Sequence, residues 1–88
     1  MTNRAFQYGH GHAIMILVAE MMGLSPSSVA DAKQLLDGKE VPPMTGAAME
    51  REAIRVNDLL RSDPEQIAVA NRHAEQLKVQ YGFLPAKS

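Results

Sequence analysis

The sequence predicts an all-α fold, a small bundle of about four helices in a single domain over residues 1–88. Three observations carry this. Apolar residues recur at three- and four-residue spacing along most of the chain, no stretch alternates as a strand would, and glycine or proline breaks the chain at helix-length intervals.

Residues 1–11, MTNRAFQYGHG, hold two glycines together with Phe6 and Tyr8, and read as a flexible or anchoring N-terminal arm. A first helix is expected over residues 12–22, with Gly23 as its stop. The second is expected over residues 26–37: Ser25 as N-cap, Pro26 at the first helical position, and Asp37-Gly38 closing it. Its inward stripe is Val29, Ala32 and Leu36, with Leu35 beside it. Residues 39–45 form a connection held extended by Pro42-Pro43.

Thr45 then caps a third helix over residues 46–61, whose seam is Met49, Ala53, Val56 and Leu60. Its other face carries Glu50, Arg51, Glu52, Arg55, Asp58 and Arg61 and reads as ordinary surface, with Glu52–Arg55 and Asp58–Arg61 pairing weakly in solvent. The fourth helix, over residues 63–81, opens with a capping box of Ser62 and Glu65 around Pro64, repeats Ile67, Ala70, Ala74, Leu77 and Tyr81, and stops at Gly82. So short a link makes the last two helices an antiparallel hairpin. Residues 83–88 form a C-terminal tail, with Phe83 and Leu84 placed to fold back.

The first helix is the unusual one. Leu17, Met21, Ile14, Val18, Met22 and Met15 fill a continuous arc of roughly 160°, leaving His12 and Glu20 as the polar edge. Such a helix must be covered on several sides. Three short helices with narrow apolar faces wrap it with difficulty, so a homo-oligomer, at least a dimer, is favoured over complete wrapping within one chain. The expected contact residues are Ile14, Met15, Val18 and Met22, with Ile54 and Val69 as a second apolar rim on otherwise polar faces.

Several chemistries are disfavoured. There is no cysteine, which removes disulfides, thiolate metal sites and cysteine nucleophiles. Nine Lys and Arg balance ten Asp and Glu, and no basic stripe suggests nucleic acid. The polar group Asn71, Arg72, His73 and Gln76 reads as a solvated helix face, and the connection between helices two and three is too long for a helix-turn-helix. Ser25, Ser27 and Ser28 lack a glycine elbow, and Gly9–Gly11 is not a phosphate loop. The apolar run of the first helix is too short to span a bilayer and makes a poor signal peptide, so no membrane role and a cytoplasmic location are expected.

His10 and His12 are weak metal candidates, two imidazoles on a glycine-rich arm with no further ligands fixed nearby. The sequence thus points to a non-enzymatic, cofactor-free protein–protein interaction or assembly module (an adaptor, structural subunit or inhibitor) that self-associates through its first helix. The alternative is an oligomeric ligand-binding protein with a pocket at a subunit junction, rimmed by Arg4, Tyr8, His10 and His12. Metal-binding and nucleic-acid roles rank below both.

Overall fold

The computed structural model describes residues 3–85. Residues 1–2 of the expected arm and 86–88 of the expected tail lie outside the described residues. Four α-helices follow one another: α1 (Tyr8–Met21), α2 (Val29–Leu36), α3 (Pro43–Leu60) and α4 (Pro64–Gln80), and the described residues contain no strand. The all-α class and the number of helices are as expected.

The centre of the molecule is α1. Ala13, Ile14, Ile16, Leu17, Val18 and Ala19 are all buried, against a core that includes Ala32 and Leu36 of α2, Met49, Val56 and Leu60 of α3, and Ala70 and Leu77 of α4. The outer helices pack mainly on α1 and touch one another sparingly, even α3 and α4 across their three-residue link. The molecule is flat, 37 × 36 × 18 Å, with α1 running through its middle.

This arrangement corrects the expectation for the first helix. Helices narrow in their own apolar faces still cover a wide arc when all three turn to the same hub. Ile14 and Val18 are fully consumed by the chain itself, and Met15 and Met22 are half-buried. Covering these residues does not require a second subunit.

Three helix ends follow the expected glycine signal, and all three are the same device. Gly23, Gly38 and Gly82 take positive φ, and each donates its amide back to the last turn while the following residue reaches one position deeper. At α4 the pair is Gly82 N–H to Val79 O at 3.1 Å and Phe83 N–H to Lys78 O at 2.7 Å. The turn swings Phe83 into the core, as the expected fold-back requires, while Leu84 stays about one-third exposed, at 37%.

The starts differ from expectation. α1 begins at Tyr8, not residue 12, so Gly9 and Gly11 are helical. A Cβ on Gly9 would lie 3.6 Å from Leu35 Cδ2, an ordinary contact distance, so α2 packs beside this turn. α2 begins at Val29, not at Pro26; Ser25 and Ser28 sit in the left-handed region instead of capping in extended geometry. α3 begins at Pro43, the preferred first-turn place for proline, so Thr45 is inside the helix. α4 is capped by Asp63 rather than Ser62, its carboxylate accepting from the amides of Glu65 at 3.1 Å and Gln66 at 3.3 Å.

Candidate functional site

The first turn of α1 brings together most of the polar residues that the sequence singles out, and it splits them into two groups. Successive helical residues are rotated by about 100°, so His10 and His12 stand about 200° apart around the axis. His10 turns to the C-terminal ends of α2 and α4, and His12 turns to α3. They cannot hold one ion between them, and the described residues contain no group of three or more His, Asp or Glu side chains suited to a metal.

On the His10 side, the segment before α1 is anchored by its side chains. The Arg4 amide donates to Gly82 O at 2.9 Å, and its guanidinium donates to Leu36 O at 2.6 Å and Tyr81 O at 2.8 Å. Those carbonyls are the last acceptors of α2 and α4, where helix dipoles are negative and a cation is favoured. The same guanidinium lies 4.6 Å from the centre of the Phe83 ring. Phe6 meets Phe83 edge to face at 5.2 Å and carries the Lys78 ammonium over its own ring at 5.0 Å. The His10 ring lies 4.8 Å from Phe83 and 5.9 Å from Phe6, and its Nδ1 accepts the Gln7 amide at 3.0 Å.

That hydrogen bond satisfies a donor at the start of α1, which is why the helix begins four residues early. Burial, helped by the Arg4 charge, holds the His10 imidazole below its usual pKa of 6.5. Burial also pushes the Tyr81 phenol up, with Asp37 adding to the effect.

On the His12 side, Tyr8 stacks edge to face on His12 with ring centres 4.5 Å apart and donates its hydroxyl to Glu50 Oε2 at 3.3 Å. His12 Nε2 lies 3.9 Å from the same oxygen. Tyr8 is 78% exposed, so this is a surface contact between α1 and α3. Arg4, Tyr8, His10 and His12 therefore do not rim one pocket within the chain, and the arm is seated on its own helices.

A second polar site was not legible as one. Glu52 is 8% exposed, and its carboxylate accepts the Ser27 amide at 2.7 Å and two Arg55 donors, each at 2.7 Å. The paired Arg55 guanidinium, with the Ser27 amide, holds its carboxyl down at about 2 against an ordinary 4.5, although burial works the other way. The expected weak surface pair is thus a tether for the loop between α1 and α2. The clue lay in spacing: Glu52 follows Met49 by three and precedes Val56 by four, at the margin of the buried stripe.

The remaining singled-out residues are dispersed. Ile54 is 55% exposed on the outer side of α3, whereas Val69 is half-buried. Asn71, Arg72 and Gln76 are exposed, and His73 is half-buried with its Nδ1 shielded and without a hydrogen-bond partner. No helix of the described residues is long and apolar enough to cross a membrane. No family model, curated protein or solved structure matches the chain.

Proposed function

We propose that the chain is a small helical protein–protein interaction or assembly module, and that its contact face lies on α3 and the start of α4. The observation that carries this is the distribution of exposed apolar side chains. Met44, Ile54 and Leu59 on α3 and Ile67 on α4 are exposed, while of the apolar arc of α1 only Met21 is exposed. Single exposed apolar residues are common, but four large ones concentrated on α3 and the first turn of α4 offer apolar area that a partner can cover. The polar side chains are engaged within the chain: Glu52 and His10 accept from backbone amides, and His12 and Tyr8 meet each other and Glu50.

The reading keeps self-association and moves it off Ile14 and Val18; Met15 and Met22, half-buried beside exposed Met21, stay available only as a rim. A cytoplasmic setting is part of the proposal and agrees with a chain free of cysteine. The test is mass in solution by light scattering over a concentration series. Wild type is expected to form at least a dimer, and the double variant Ile54→Glu with Leu59→Glu to be monomeric with its helical circular dichroism unchanged. A wild type that stays monomeric at every concentration, or a double variant that still assembles, overturns this assignment.

A further inference from the structure

We propose that His10 is a pH-sensitive latch on the N-terminal arm: the neutral ring holds residues 3–7 closed on the ends of α2 and α4, and the protonated ring releases them. The first ground is hydrogen-bonding capacity. Nδ1 accepts the Gln7 amide at 3.0 Å, and an imidazolium has two donors and no acceptor. Protonation therefore breaks one of the bonds that join Gln7 to the first turn of α1, beside the His10 amide that donates to Gln7 O at 3.1 Å.

The second ground is charge. Arg4 from the arm acts on His10, and Lys78 from α4 sits over Phe6, whose ring packs on His10. His10 also occupies the first turn of α1, the positive end of the helix dipole. Asp37 at the end of α2 acts on Tyr81, and Glu50 of α3 meets Tyr8 and His12. A positive ring here meets like charges. The third ground is position, because the His10 ring touches Phe6 and Phe83, the two rings that seat the arm.

The sign follows from linkage. The closed arm holds His10 below the ordinary 6.5, so closure is complete above that value. Between it and the lowered value, the closing constant falls about tenfold for each pH unit lost. Release uncovers the Phe83 ring and frees the carbonyls of Leu36, Tyr81 and Gly82. It creates an apolar face bordered by acceptors that exists only on the acid side.

The test is NMR of the full chain, titrated from about pH 7.5 to about pH 4.5, a range that brackets histidine ionisation. Ring shifts report His10, cross-peaks between Phe6 and Phe83 report closure, and Arg4 amide exchange reports its protection. The comparison variant is His10→Gln, which retains an acceptor for the Gln7 amide and does not titrate. In wild type the cross-peaks should weaken, and Arg4 protection should fall, as the His10 ring titrates. His10→Gln should keep both.

Arm contacts that outlast His10 protonation, a ring still neutral at the acid limit, or a His10→Gln arm that opens at the same pH each overturn the latch. Should His10→Gln be open at every pH, the wild-type titration decides alone. Release that does not track the ring shift overturns the proposal.

Discussion

The chain ties two irregular segments to its helices, and it uses opposite charges to do so. The loop over residues 22–28 is held by a carboxylate, Glu52, reaching up from α3 to the Ser27 amide. The arm over residues 3–7 is held by a guanidinium, Arg4, reaching across to carbonyls at the ends of α2 and α4. Glu52 is buried and locked by two bonds from Arg55, whereas Arg4 is exposed and depends on aromatic contacts with Phe83 and, through it, on Phe6 and His10. The difference lies in what can untie each. The loop is tied by a deeply stabilised carboxylate, while the arm is tied beside an imidazole that burial holds below its ordinary 6.5.

Removing the two anchors should expose this asymmetry. Glu52→Ala strips a part-buried amide and a guanidinium of their acceptor and is expected to cost about 2 kcal/mol, read from the urea midpoint. Arg4→Ala leaves carbonyls that water can reach and should cost about 1 kcal/mol. Equal losses would show that the arm is as integral as the loop.

Acid titration separates the same two ties in order. The His10 contribution is present above 6.5 and fades as pH falls toward its lowered value. The Glu52 contribution is present above 4.5 and fades as pH falls toward about 2. Amide exchange followed against pH should show Arg4 losing protection first and Ser27 losing it only in the lower window. Simultaneous loss would mean that the two segments open together. The smallest expected effect tests the loop's strain. Ser28 is left-handed at φ 65° and makes no side-chain capping bond, so Ser28→Gly should raise stability by about 0.5–1 kcal/mol in thermal unfolding.

The segments that were hardest to read from the sequence are the same two. Helix interiors and stops follow from local signals, the apolar spacing of Met49, Ala53, Val56 and Leu60 and the glycines at 23, 38 and 82. Both irregular segments are shaped by residues far away in the chain. Ser25-Pro26 is a sound local cap, but Glu52, 25 positions later than Ser27, draws the loop into another path. Gly9 and Gly11 look like an arm until His10 caps the turn and Phe83 packs on it. The wrapping of α1 was illegible for a related reason, because the apolar width of one helix says nothing about how many neighbours turn toward it. Of the candidate contact residues, Ile54 was legible as exposed, and Val69 was not, since its burial depends on tertiary neighbours.

The bond from the Arg4 amide to Gly82 O joins positions that are 78 residues apart. During synthesis α1 can find α2 and then α3 as each emerges, so the hub is able to assemble while the chain is still growing. The arm has no seat until Tyr81, Gly82 and Phe83 have left the ribosome. Until then, residues 3–7 lack the partners that hold them in the finished fold.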